Sequence, residues 1–185
     1  ENALLCASVA EGTTVIQNAY VTPEISNLIS LLQSMGVTIE RQGGSKIIVH
    51  GQPRLRGATT QVMPDRIEAL TWIVYATMAG GDVVIDDVPF ADMEIPLVHL
   101  RTAGLDYFSN SRSVYVTSEP AGPTNLQPFE VACGTHPGVV SDMQPFYVML
   151  ALVANGRSLI VDYRYPERTA YLEQLSRFVP GDLEW

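Results

Sequence analysis

The sequence predicts an α/β (α+β) fold of tandem units, each running strand, helix, strand, helix, hairpin. Three observations lead there. A short motif recurs three times, as Ala10-Glu-Gly-Thr-Thr-Val-Ile16, Ala79-Gly-Gly-Asp-Val-Val-Ile85 and Ala154-Asn-Gly-Arg-Ser-Leu-Ile160. Its shared glycines, Gly12, Gly81 and Gly156, lie 69 and 75 residues apart. In each copy an apolar helical run precedes a strand-forming segment and a second helical pattern follows it. A period of about 70 residues is longer than that of common solenoids. It suits compact units gathered round an axis with helices packed inside, an inside-out α/β barrel of which this chain holds an incomplete part.

In copy one, residues 3–10 form an apolar helical run that includes Cys6, read here as a core residue. Gly12 then stops the helix before the strand. Pro23 and Glu24 open the second helix, and Ile25, Leu28, Leu31, Leu32 and Met35 follow at helical spacing. Glu24 reads as an ordinary helix-start acid. Met35-Gly36-Val37 ends the helix, and a hairpin follows over 37–41 and 46–50 with its turn at 42–45.

Copy two begins with a strand at 60–63 and a helix opened by Pro64-Asp-Arg-Ile-Glu68, with Trp72 and Met78 on its buried-looking face. A strand after Gly81 and a helix carrying Ile95, Leu97, Val98, Leu100 and Ala103 come next. Ala103-Gly104-Leu105 repeats the helix stop, and strands at 105–108 and 113–117 form the hairpin. Copy three supplies a strand at 130–133, a helix at 146–154, a strand at 158–161 and a helix through Leu172, Leu175 and Phe178. Linkers fall at 52–59 and 119–127. Because copy one lacks its opening strand and copy three most of its hairpin, the chain reads as a portion of a longer one. Residues 1–57 would hold one unit without its opening strand, and residues 58–185 one full unit and most of another.

Composition narrows the function. The chain has 185 residues, 46% hydrophobic and 17% charged, which marks a globular protein with a sizeable core. A net charge of −9 argues against nucleic acid and requires that any anionic ligand be held by a few local cations. No apolar run reaches membrane-span length and no leader pattern opens the sequence. Two distant cysteines, Cys6 and Cys133, give no disulfide framework, and with three scattered histidines they give no metal-ligand spacing. The expectation is a cytoplasmic protein without a His/Cys metal site.

The most informative stretch is Gly134-Thr-His-Pro-Gly-Val-Val-Ser-Asp-Met-Gln-Pro-Phe146. His136-Pro137-Gly138 is a turn. Ser141-Asp-Met-Gln144 fits a capping box, with Ser141 as cap and Gln144 reaching back to it. Asp142 then lies in the first turn of an apolar helix, near free backbone N–H groups and the positive end of the dipole. An acid in that position is most often ordinary cap chemistry; it is also a good place to hold an anion beside a base. Arg168, in Tyr163-Arg-Tyr-Pro-Glu-Arg168, falls in the loop before the last helix. There a guanidinium fork is either solvated or clamps a carboxylate or phosphate. Asp65, Arg66 and Glu68 form a polar group at a helix start, read as dipole-complementing acids or as the polar rim of a lobe junction.

Five stretches together resemble the enolpyruvyl transferase family. They are Ala10-Glu-Gly-Thr-Thr-Val-Ile-Gln-Asn-Ala19, Leu32-Gln-Ser-Met-Gly-Val37, Met63-Pro-Asp-Arg-Ile-Glu68, His136-Pro-Gly-Val-Val-Ser-Asp-Met-Gln144 and Glu167-Arg168. The resemblance covers essentially the whole chain and fits the branch acting on UDP-N-acetylglucosamine better than the one acting on shikimate 3-phosphate. It implies a two-lobed protein built from six such units in all, with substrates bound between the lobes and neither metal nor organic cofactor. Residues 1–57 would then be the last unit of one lobe, and residues 58–185 the first unit and most of a second unit of the other. The implied activity is transfer of enolpyruvyl from phosphoenolpyruvate to the sugar 3-hydroxyl of UDP-N-acetylglucosamine, a step in bacterial peptidoglycan precursor synthesis. The implied roles are general base for Asp142 and phosphoenolpyruvate binding for Arg168, with Asp65, Arg66 and Ser141 in the substrate-binding set. The chain departs from the family pattern at Val21-Thr-Pro-Glu24, Val139-Val-Ser-Asp142 and Pro166-Glu-Arg168. The acceptor therefore stays open, shikimate 3-phosphate included. The family's cysteine-bearing loop and several of its anion-binding residues have no counterpart here, so the isolated chain is expected not to turn over substrate. A non-catalytic module of the same type, or self-association through open strand edges, is the alternative.

Overall fold

The computed structural model describes residues 1–118 and 125–185, in two compact units, Glu1–Met63 and Pro64–Trp185. The first unit contains α1 (Asn2–Val9), β1 (Thr13–Ile16), α2 (Pro23–Ser34), β2 (Thr38–Gln42) and β3 (Lys46–His50). Its strands form one antiparallel sheet in the order β1–β3–β2, with Thr13 and Thr38 both facing His50. The alternation in Lys46-Ile-Ile-Val-His50 turns Ile47 and Val49 into the core. They meet Ile25, Ile29 and Leu32, spaced so that they share one face of α2. Thr22 caps that helix, its hydroxyl accepting from the Ile25 N–H at 3.4 Å, and Pro23 fills the first turn.

The second unit contains α3 (Arg66–Ala79), β4 (Gly81–Ile85), α4 (Phe90–Thr102), β5 (Tyr107–Ser109) and β6 (Val114–Ser118). It continues with β7 (Glu130–Gly134), β8 (Val139–Val140), a 3-10 turn (Ser141–Met143), α5 (Gln144–Val153), β9 (Leu159–Asp162) and α6 (Ala170–Leu175). Strands β4, β6 and β5 repeat the antiparallel order of the first unit's sheet. The other sheet is parallel, ordered β8–β7–β9, with Glu130 facing Leu159 and Cys133 facing both Val139 and Asp162. One continuous core joins the two copies in this unit: Leu70 and Ile73 of α3, Met93 and Leu100 of α4, Val114 and Val116 of β6, and Cys133, Met143 and Tyr147. The fold is thus mixed α/β. Among the described residues no helix is long and apolar enough to cross a membrane.

The two middle helices end alike. Gly36 N–H bonds the Gln33 carbonyl and Val37 N–H the Leu32 carbonyl; Gly104 and Leu105 do the same to Arg101 and Leu100. This double closure needs a residue at positive φ, met by Gly36 at 105° and Gly104 at 89°. The thrice-repeated glycines instead fall just beyond helices that stop at Val9, Ala79 and Val153, and Gly80 caps α3.

Several expectations are corrected. Residues 60–63 are not a strand: they are largely exposed, Val62 at 76%, and a β-branched run without a partner strand among the described residues has no ladder to join. Cys6 is exposed, because Leu4, Ala7 and Ser8 take the buried face of α1. Trp72, Ile95 and Val98 are exposed although their helices are apolar, because such helices show no single face in sequence. Phe178 lies beyond α6 and is 82% exposed. Of the expected linker at 119–127, residues 119–124 lie outside the described residues. Its end is core, with Leu126 fully buried and Gln127 N–H bonded to the Ala103 carbonyl.

Candidate active site

Strand β7 ends at Gly134 and the chain turns through a cis His136–Pro137 bond, closed by the Gly138 N–H on the Thr135 carbonyl at 2.9 Å. Val139 and Val140 return alongside β7, delivering residues 141–143 in a 3-10 turn at the mouth of α5. Asp142 sits on that turn. Its Oδ1 accepts from the Arg168 guanidinium at 2.6 Å, with the two side chains 67% and 39% exposed. Arg168 comes from the loop between β9 and α6. Its N–H bonds the Tyr165 carbonyl, and its guanidinium lies 4.6 Å from the centre of the Tyr165 ring. The bond to Asp142 holds the guanidinium firmly in its charged form.

The expected capping box does not form. Val140 precedes the 3-10 turn without a side-chain cap, and α5 starts only at Gln144. The buried Ser141 hydroxyl donates to Asp162 Oδ1 at 2.9 Å, and Gln144 Oε1 accepts from the Tyr171 hydroxyl at 2.9 Å. An ionised carboxylate is a stronger acceptor than a cap partner, and this one waits at the end of the neighbouring strand. Asp162 Oδ1 also accepts from the backbone N–H groups of Arg164 and Tyr165, at 2.9 and 2.8 Å. Burial pushes the Asp162 carboxyl up. The Tyr165 N–H, the Ser141 hydroxyl, the Arg164 N–H and the Arg168 charge outweigh it and hold the group below the usual carboxylate value. Sequence reading passed over Asp162, although an acid at a strand end followed by Tyr-Arg-Tyr-Pro is a recognisable turn former.

Arg66 is buried, and its Nη1 donates to His136 Nδ1 at 3.2 Å. A guanidinium only donates, so Nδ1 is the acceptor in this contact. Arg66 thereby braces the loop that leads to Asp142. Asp65 is the cap of α3, its Oδ1 taking the N–H groups of Ile67 and Glu68 at 2.7 and 3.2 Å. It lines a hollow of about 360 Å³ with Glu68, Trp72, Asp86 and Asp87. The structure therefore joins Asp142, Arg168 and Ser141 in one cluster through Asp162 and ties Arg66 to that cluster's loop. The Asp65 carboxylate is engaged in its own helix cap. Cys133, on the strand behind the cluster, is fully buried; burial and the Asp162 charge push its thiol up to about 12, so it is no nucleophile.

Residues 1–178 match the family described as EPSP synthase (3-phosphoshikimate 1-carboxyvinyltransferase). The chain belongs to this enolpyruvyl transferase family. It is 36% identical over 177 residues to the UDP-N-acetylglucosamine 1-carboxyvinyltransferase of Novosphingobium aromaticivorans, covering 96% of this chain and 40% of that one. It is 38% identical over 175 residues to the enzyme of the same name from Azorhizobium caulinodans, covering 95% and 40%. Among solved structures, the enolpyruvyl transferase NikO from Streptomyces tendae matches with a TM-score of 0.77 at 27% identity, over 94% of this chain and 41% of that one. The chain thus spans about two fifths of the length of these relatives. As an enolpyruvyl transferase segment it brings an acid and an arginine, set by neighbouring loops, to the mouth of α5.

Proposed function

We propose that this chain is part of a UDP-N-acetylglucosamine 1-carboxyvinyltransferase and carries its general base, Asp142, and one arginine of its phosphoenolpyruvate site, Arg168. The supporting observation is the 2.6 Å contact between them, made by loops that the sequence alone separates by 26 residues. In the reaction, a sugar hydroxyl adds to the central carbon of phosphoenolpyruvate while the methylene carbon takes a proton. Phosphate then leaves from the tetrahedral intermediate as the new methyl group gives up a proton, which restores the carbon–carbon double bond. The attacking hydroxyl must lose its proton, and a carboxylate within hydrogen-bonding reach can take it. The anion needs a fixed cation, and Arg168 offers further N–H donors beyond the one on Asp142. The ion pair is the resting arrangement. When the anion docks, Arg168 turns donors toward it and Asp142 is released toward the hydroxyl. Ser141 and Arg66 act behind the site by holding its loops, and Asp65 fixes the start of α3.

The lobe assignment belongs to the same reading. Residues 1–57 close one lobe and residues 58–185 begin the other, in barrels completed by the parts of the relatives that this chain does not span. Most anion-binding residues would lie there too, so the 185-residue chain alone should release no phosphate from the two substrates. The acceptor follows the relatives' names; the altered positions at 21–24, 139–142 and 166–168 make a different acceptor the second reading. Phosphoenolpyruvate titrated into the chain tests the site. The Arg168 side-chain NMR signals should shift, and Arg168→Ala should abolish the change. Shifts that ignore Arg168 would overturn the assignment.

A further inference from the structure

We propose that Asp162 is the positioning residue that sets Asp142 against Arg168, and that it keeps the Arg168 loop in place when that ion pair opens. The inference extends the reading of the site given above. Asp142 and Arg168 are carried by separate loops, and their mutual contact is half exposed. Such a contact is too weak to align the segments that bear it. Something else must do so, and a single oxygen atom is placed for it. Asp162 Oδ1 accepts from the hydroxyl of Ser141, the residue before Asp142. The same oxygen accepts from the N–H groups of Arg164 and Tyr165, which open the loop to Arg168. From Tyr165 the chain of contacts runs on: its carbonyl takes the Arg168 N–H at 2.9 Å, and its ring lies under the guanidinium. None of these bonds involves Asp142 itself, so they persist when Arg168 turns to an anion.

Asp162 is well suited to the task. It is only 9% exposed, and it sits at the end of β9, in register with Cys133 of the central strand β7. Its carboxylate is therefore anchored to the sheet and not to either loop. Its Oδ2 is buried without a hydrogen-bond partner among the described residues. Leaving half of a buried carboxylate unsatisfied is a cost that a neutral amide would reduce. The retained negative charge faces the loop whose cation it attracts.

The test uses the 185-residue chain without substrate, so its outcome does not depend on whether the chain belongs to a carboxyvinyltransferase. Asp162→Ala, Asp162→Asn and Ser141→Ala are compared with the parent by NMR. Asp162→Ala should raise amide exchange at Arg164 and Tyr165 by about tenfold or more, the equilibrium weight of one lost charge-assisted hydrogen bond. It should also broaden or shift the Arg168 Nε–H signal. Asp162→Asn, whose amide oxygen can accept from the same three donors, should restore the exchange protection. Ser141→Ala removes one contact from the opposite loop and should still move the Tyr165 amide and Arg168 signals through Asp162. Asp162→Ala that folds and leaves those signals unchanged overturns the proposal. If Asp162→Ala does not fold, Ser141→Ala decides: a perturbation that stops short of Tyr165 and Arg168 overturns it equally.

Discussion

Removing the Asp142–Arg168 pair should cost the fold little, and that expectation can be worked from the structure. The contact is short, 2.6 Å, but the side chains are 67% and 39% exposed, so water screens it. Exposed pairs contribute about 0.2–1 kcal/mol. Asp142 also complements a helix start, worth roughly 0.3–1 kcal/mol. Arg168 keeps its contact with the Tyr165 ring in an Asp142→Ala variant. Asp142→Ala should therefore destabilise by about 0.5–2 kcal/mol, and the coupling between Asp142→Ala and Arg168→Ala should be about 0.5 kcal/mol. The assay is urea unfolding of the parent, the two single variants and the double variant, read by tryptophan fluorescence. Both tryptophans, Trp72 and Trp185, lie in the unit 64–185, so the signal reports the unit that holds the pair. A coupling energy above about 2 kcal/mol would mean that the pair is structural. Loss of activity on the matching change in a full-length relative would then no longer point to proton transfer.

Other outcomes follow from the same geometry. Asp162 is held below the usual carboxylate value when folded, so its contribution to stability is present above about pH 4 and is lost as pH falls through its lowered folded value. Asp162→Asn should flatten that acid limb in urea midpoints compared between roughly pH 6 and pH 3. A thiol reagent at neutral pH should label the exposed Cys6 and spare Cys133 until urea opens the core, as intact-mass measurement would show. Gly36→Ala and Gly104→Ala both force an L residue to positive φ, at roughly 1 kcal/mol each. Gly104→Ala should cost clearly more, because its Cβ would lie 2.9 Å from the Asn125 carbonyl oxygen, whereas at Gly36 the nearest atom is 4.0 Å away. Denaturation read by amide exchange in each unit separates the two.

What could be read in advance were features written locally. The glycine stops at Gly36 and Gly104, the hairpin turn before Lys46 and the proline-led start of α2 depend on neighbouring residues, and they stand where the sequence puts them; Gly12, Gly81 and Gly156 lie past their helix ends. Features that depend on partners were not legible. The run 60–63 has strand-forming residues but no partner strand among the described residues, and Trp72 sits on a helix apolar enough to hide which face is buried. The site divides in the same way. The motifs around Asp142 and Arg168 drew attention to both, and the structure places them 2.6 Å apart. The fate of Ser141 was not, because its hydroxyl turns to an acid 21 residues away instead of serving its own helix. A local signature gave way to a tertiary acceptor.

The two kinds of sheet imply an order of assembly. In the first unit, β2 and β3 meet across a three-residue connection, and their Gln42–Lys46 rung can close as soon as both have left the ribosome. In the parallel sheet, Glu130 must wait for Leu159, with the whole of α5 synthesised between them. Until β9 arrives, β7 has only a two-residue companion in β8, and its edge stays open to other chains. The late step in biogenesis is thus the same one that brings the anchoring carboxylate into place, and nascent chains stalled before residue 159 should be the ones that clump.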